Sequence, residues 1–181
     1  MRLVILDRDG VINQDSDNYI KSPEEYIPLP GSLEAIARLN QAGFLVAVAT
    51  NQSGIGRGLY DQATLDSIHD KLQGLLGGVG GRIDAIFYCP HTPDDHCVCR
   101  KPAPGLLQQI SEHFGIPLTG VPVIGDAPRD LQAARAVGAT PILVRTGKGL
   151  RTLENGGDLD EIPVYDDLAE AVDALLSGDA G

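Results

Sequence analysis

Short apolar runs alternate with stretches of helical spacing along the chain. Residues 3–6 form a continuous apolar run that stops at Asp7, the pattern of a strand buried on both faces. Leu33, Ile36, Ala37 and Leu39 then recur at helical spacing, and residues 44–49 return to a continuous apolar run. Leu65, Ile68, Leu72 and Leu75 mark a second helix, 85–88 a third strand, and Leu106, Leu107, Ile110 and Phe114 a further helix. A strand over 121–124, a helix over 128–137, a strand over 141–144 and a helix over 168–176 complete the series. Alternation of this kind predicts an α/β fold in three layers, a central parallel sheet with helices on both faces. No repeat interrupts it, and 181 residues suit one domain spanning 1–181. The segment 13–30 is long for a connection in such a fold and marks a functional loop. Residues 155–160 read as a flexible surface turn and 177–181 as a frayed tail.

Ligands of open parallel sheets bind beyond the carboxyl ends of the strands. The predicted strands deliver Asp7 and Asp9, then Thr50 and Asn51, then Cys89 and His91, then Gly125 and Asp126 to that edge. Asp7 and Asp9 are two apart, so their side chains leave the same side of an extended backbone. Two carboxylates that close repel each other and need a cation or a raised pKa. With Asp126 they offer three hard oxygen donors, a set that suits Mg²⁺. Thr50 and Lys101 complete a set for phosphoryl transfer through an aspartyl phosphate. In it Asp7 is the nucleophile and Asp9 the general acid and base. Asp7, Asp126 and a backbone carbonyl near Asp9 hold Mg²⁺; Thr50 binds phosphoryl oxygens and Lys101 neutralises charge. Asp130, four residues after Asp126, supports the lysine or the metal, and Pro128 fits an early helical position.

The three cysteines, Cys89, Cys97 and Cys99, are odd in number and crowded together, unlike a disulfide framework. With His91 they form a Cys₃His set over a loop at 89–99, as a structural Zn²⁺ prefers. Arg100 and Lys101 follow directly, so the loop positions the cationic end of the site. The chain's formal charge is −11, from 14 Lys and Arg against 25 Asp and Glu. That acidity argues against nucleic acid or an anionic membrane as a partner, and an anionic ligand would need a local positive island. The apolar run at residues 3–6 is far too short for a signal peptide or a membrane span, so a cytoplasmic, monomeric enzyme with reduced or metal-bound cysteines is expected. His69 and His113 read as ordinary surface or boundary residues of helices.

The motifs LDRDG at Asp7, TNQ at Thr50, RKP at Lys101 and GDxxxD over Gly125 to Asp130 occur in the order and spread found in the haloacid dehalogenase-like (HAD) phosphatases, which the chain resembles over essentially its whole length. The resemblance implies a Rossmannoid, capless domain. The zinc loop narrows it to the small HAD phosphatases that remove the 7-phosphate of D-glycero-D-manno-heptose 1,7-bisphosphate on the way to ADP-heptose and lipopolysaccharide core. Histidinol-phosphate phosphatases share that metal loop and are the alternative. The stretches favouring the heptose enzymes imply substrate contacts at Asp15, Tyr19, Asn51, Gln52, Ser53 and Arg57, with Arg57 or Arg100 taking a second phosphate. Ala127 stands where the family often carries a substrate-contacting lysine, leaving Arg129 as its candidate replacement. The link from His91 to Cys97 is short, as in the histidinol-phosphate enzymes. A phospho-receiver domain is a remote alternative, but it would carry its phosphorylated Asp on the third strand, where Cys89 stands.

Overall fold

A computed structural model describes residues 2–178. Six parallel strands form one sheet: β1 (Arg2–Leu6), β2 (Phe44–Asn51), β3 (Ala85–Cys89), β4 (Pro122–Gly125), β5 (Thr140–Val144) and β6 (Val164–Tyr165). Their order is β3-β2-β1-β4-β5-β6. The helices are α1 (Ser32–Gln41), α2 (Ser53–Gly56), α3 (Gln62–Gly77), α4 (Gly105–Phe114), α5 (Pro128–Ala136), α6 (Gly149–Asn155) and α7 (Leu168–Ser177). None is long and apolar enough to cross a membrane.

Side chains of the central strands alternate between two cores. Val4 and Leu6 of β1 and Val46 and Val48 of β2 pack with α1, α3 and α7. Leu3, Ile5, Ala47 and Ala49 face α4 and α5 on the other side. Burial on both faces is why these strands are continuously apolar. The strand order reverses direction between β1 and β4, and ligands of such sheets bind in the crevice beyond that switch point. Asp7 follows β1 there and Asp126 follows β4.

The structure departs from the sequence expectation at the following points. Leu76, not Leu75, continues the buried face of α3; Leu75 is 38% exposed because the face advances by four residues after Leu72. Helices α2 and α6 and the two-residue edge strand β6 have no predicted counterpart. α6 buries only Gly149 and Thr152, so it lacks the apolar stripe that would reveal it. The expected turn at 155–160 therefore begins only after Asn155, the last residue of α6. Ser177 ends α7 rather than starting a tail, and the rest of that expected tail, beyond Gly178, lies outside the described residues.

Candidate active site

A pocket of about 240 Å³ opens at the carboxyl edge of the sheet. Asp7, Asp9, Thr50 and Arg100 line it, as do all six expected substrate contacts: Asp15, Tyr19, Asn51, Gln52, Ser53 and Arg57. Arg129 and Lys148 join them. Lys148 was not predicted; its backbone N–H donates to Asp126 Oδ2 (2.8 Å) and its ammonium pairs with Asp15. The cations Arg57, Arg100, Arg129 and Lys148 share this wall with Asp7, Asp9, Asp15 and Asp17.

Asp7 accepts the Arg8 backbone N–H at Oδ1 (2.8 Å), and Lys101 Nζ lies 3.2 Å from the same oxygen. Its Oδ2 has no hydrogen-bond donor among the described residues. Lys101 is buried beneath the pocket, where Nζ donates to Asp130 Oδ1 and to the Ala49 carbonyl, each at 2.7 Å. Burial alone would lower the Lys101 pKa, but Asp130 and Asp7 raise it above the ordinary value, so the ammonium is held charged. Asp130 Oδ2 also receives the N–H groups of Asp126 (3.2 Å) and Ala127 (3.1 Å) at the start of α5.

Carboxylate oxygens of Asp7, Asp126 and Asp130 lie within 4.8 Å of one another, all three residues buried. Burial, then repulsion from Asp130, pushes Asp7 up to about 6 against the pull of Lys101 and Arg129. Burial, then Asp7 and Asp130, pushes Asp126 up to about 8. Asp126 Oδ1 is buried with no hydrogen-bond partner among the described residues. A buried, unpartnered carboxylate oxygen among repelling acids is the condition a hard divalent cation relieves, so this set fits Mg²⁺. The oxygen cluster contains Asp130 in place of the Asp9 side chain. Gly10 makes room for it: at φ +84°, a Cβ there would lie 2.1 Å from Asp126 Oδ2.

The Asp9 carboxylate is held differently. Arg8 Nε (2.8 Å) and Asn13 Nδ2 (3.0 Å) donate to Oδ1, and Gln52 Nε2 (3.3 Å) donates to Oδ2. Burial raises its pKa, but Arg8 and these hydrogen bonds outweigh burial and hold it below the usual carboxylate range.

Two expected substrate contacts are committed to protein. Asn51 brackets the Lys101 backbone, donating to its carbonyl (3.1 Å) and accepting its N–H (3.0 Å). Gln52 donates to Thr50 Oγ1 (2.9 Å) and accepts from Tyr60 Oη (2.5 Å), so it orients Thr50 and Asp9. His69, expected at the surface or boundary of its helix, is 8% exposed and receives a hydrogen bond from Arg8 Nη1 (3.1 Å). Burial, then the Arg8 charge, pushes its pKa down to about 3, so the imidazole is neutral. His113 is exposed, edge-on to Phe87 and Phe114, as expected.

In the 89–99 loop the Sγ atoms of Cys89, Cys97 and Cys99 converge, 2.6 to 3.7 Å apart. His91 is not within this group. Its imidazole is 48% exposed and turns toward Asp95, the carboxylate four residues on, with Nδ1 3.8 Å from Oδ2.

A parallel sheet that brings Asp7 and Asp126 together at its switch point, with Lys101 and Thr50 alongside, defines a HAD-like phosphate-ester hydrolase. Comparison with known proteins agrees. A family model described as HAD-hydrolase-like matches residues 98–171, and one described as polynucleotide kinase 3 phosphatase matches residues 3–130. The chain is 59% identical to the D-glycero-beta-D-manno-heptose-1,7-bisphosphate 7-phosphatase of Pseudomonas aeruginosa, over 96% of this chain and 97% of that protein. It is 56% identical to the enzyme of the same name from Bordetella bronchiseptica, over 97% of this chain and 98% of that one. The crystal structure of D,D-heptose 1,7-bisphosphate phosphatase from B. bronchiseptica, complexed with magnesium and phosphate, superposes with a TM-score of 0.96 at 56% identity, covering 98% of this chain and 99% of that one. The corresponding Burkholderia thailandensis structure gives 0.78 at 48% identity, covering 98% and 99%. The chain belongs to the D-glycero-beta-D-manno-heptose-1,7-bisphosphate 7-phosphatase family.

Proposed function

We propose that the protein removes the 7-phosphate of D-glycero-D-manno-heptose 1,7-bisphosphate, with Asp7 as nucleophile and Mg²⁺ as cofactor. The observation that carries the chemistry is Asp7 itself. It is a buried carboxylate at the pocket floor with Oδ1 fixed by Arg8 and Lys101 and Oδ2 free of donors. The heptose substrate rests on relatives 56–59% identical over nearly the whole chain.

Asp7 Oδ2 forms a bond to phosphorus as the bond from phosphorus to the sugar oxygen breaks. Asp9 gives the leaving alkoxide its proton, then takes one from the water that attacks the aspartyl phosphate, and inorganic phosphate leaves with Asp7 restored. At rest Arg8 favours the Asp9 carboxylate; a phosphoryl dianion entering beside it acts in the opposite sense and raises its proton affinity. Thr50 donates to the phosphoryl oxygens, while buried Lys101 offsets charge on the attacking carboxylate. Asp7, Asp126 and the Asp9 backbone would hold Mg²⁺, which when bound screens the phosphoryl charge from the nucleophile. Arg100 and Arg57, both on the pocket wall, suit the second phosphate, and Arg129 compensates for Ala127.

The three convergent sulfurs support a structural Zn²⁺ in the loop, with His91 as fourth ligand once its imidazole turns from Asp95. Acidic composition favours a small phosphorylated metabolite in the cytoplasm over nucleic acid or membrane, and a monomer suffices because one chain holds every group named. The test is kcat/KM for heptose bisphosphate and histidinol phosphate side by side in Mg²⁺. Preference for the heptose is expected; preference for histidinol phosphate would overturn the substrate.

A further inference from the structure

Arg8 lies between the two acids of the Asp7-Arg8-Asp9 triplet, so its side chain leaves the opposite side of the backbone, into the core. It is 0% exposed. A guanidinium has five donors and no acceptor, and burying one without partners is costly. Arg8 finds one carboxylate: Nε donates to Asp9 Oδ1 at 2.8 Å, while Nη2, 2.8 Å from the same oxygen, pairs with it in charge but makes no hydrogen bond. The Tyr26 ring lies 5.6 Å from its Cζ, and Nη1 is 3.1 Å from His69 Nε2. Because Arg8 can only donate, His69 must accept at Nε2 and carry its own proton on Nδ1. Arg8 and Asn13 thus saturate Asp9 Oδ1, and only Oδ2, with Gln52 at 3.3 Å, remains for the reaction.

We infer that His69 is a positioning residue for the proton transfer: it fixes the plane of the Arg8 guanidinium, and Arg8 fixes Asp9 so that one oxygen alone addresses the leaving group. The inference rests on Asp9 being the general acid and base. Without an acceptor at residue 69, buried Nη1 joins Nη2 in lacking a hydrogen bond, Nε alone then holds the guanidinium to Asp9, and the group is driven to rotate toward another acceptor. Catalytic carboxylates lose efficiency when misplaced by a fraction of an ångström.

The test is a series at residue 69, measured as Mg²⁺-dependent phosphate release from heptose bisphosphate. His69→Leu removes the acceptor, His69→Asn shortens its reach, and His69→Gln keeps an amide oxygen able to reach Arg8. The expected result is a kcat lowered about 10-fold or more in the Leu and Asn enzymes, KM within about 2-fold of the parent, and most of kcat restored in the Gln enzyme. The Asn enzyme carries the comparison should the Leu variant not fold. Unchanged kcat in the Leu or Asn enzyme, or an equal loss in the Gln enzyme, overturns the role of His69. Asp9→Asn, assayed alongside, separates the two levels: repeated turnover by that variant overturns the acid–base reading, whereas its inactivity beside a fully active His69→Leu enzyme overturns the positioning role alone.

Discussion

Replacing Asp130 with Asn keeps the side-chain shape and removes one charge from the buried set beneath the pocket. The carboxylate serves two masters: Oδ1 takes Lys101 Nζ at 2.7 Å, and Oδ2 takes the N–H groups of Asp126 and Ala127 at 3.2 and 3.1 Å. An amide cannot do both. If its oxygen stays with the backbone, its NH₂ faces an ammonium; if it flips, two buried N–H groups lose their acceptor. Removing one partner of a buried ion pair costs about 3–5 kcal/mol. Asp7 remains 3.2 Å from Lys101, and relief of the repulsion that Asp130 exerts on Asp7 and Asp126 recovers part of the loss. A net destabilisation of about 2–3 kcal/mol is therefore expected, which at about 2–4 °C per kcal/mol lowers Tm by roughly 4–12 °C. The kinetic effect follows from the same geometry. Lys101 keeps the Ala49 carbonyl, but its charge is then offset by Asp7 alone, which binds the attacking carboxylate more tightly in the ground state, so kcat falls about 100-fold. Thermal melts and phosphate release in Mg²⁺ read the two effects. A Tm within about 1 °C of the parent with unchanged kcat would refute the view that Asp130 sets the position of Lys101.

Gly10→Ala forces a side chain into the left-handed region and against Asp126 Oδ2, so the Mg²⁺ concentration for half-maximal activity should rise; an unchanged Mg²⁺ titration would contradict this contact. The metal-free protein should lose stability as pH rises from about 4 to about 8. Over that window the raised carboxyls of Asp7 (about 6) and Asp126 (about 8) bind more protons folded than unfolded; His69, lowered to about 3, acts in the opposite sense below about 6.5 but is one group against two, and Mg²⁺ should remove the falling slope; denaturant titrations with EDTA and with Mg²⁺ measure it. Metal analysis should find about one zinc per chain, and Cys97→Ala should lower Tm; an unchanged melt would count against a structural zinc.

Most of the site was legible because it sits at strand ends. Asp7, Asp9, Thr50 and Asp126 follow apolar runs whose continuity marks buried parallel strands, and a parallel sheet sends those ends to one edge. Lys101 was found from its motif rather than from spacing, since it lies in a loop. What stayed hidden depends on partners far along the chain. Nothing local says that Arg8 is buried, because its ring partner Tyr26 comes from the long loop and its acceptor His69 from α3, 61 residues away. His69 in turn looks like any polar residue near a helix face until Arg8 is placed beneath it. Asn51 and Gln52 line the pocket, but which groups their amides serve is decided by Lys101, Thr50 and Tyr60 across the edge. The β5-to-β6 connection was missed for a different reason: α6 buries too little apolar surface to leave a periodic signal.

The account turns on a covalent phosphoryl group at Asp7, and borohydride reduction of the acid-quenched enzyme during single turnover of heptose bisphosphate tests it most directly. Reduction of an aspartyl phosphate yields homoserine at the modified position. Peptide mass spectrometry should therefore find homoserine in place of Asp7, in greater yield in the Asp9→Asn enzyme if phosphorylation outlasts hydrolysis there, and none in Asp7→Asn. Homoserine at another aspartate, or phosphate release by the Asp7→Asn enzyme, would contradict the assignment.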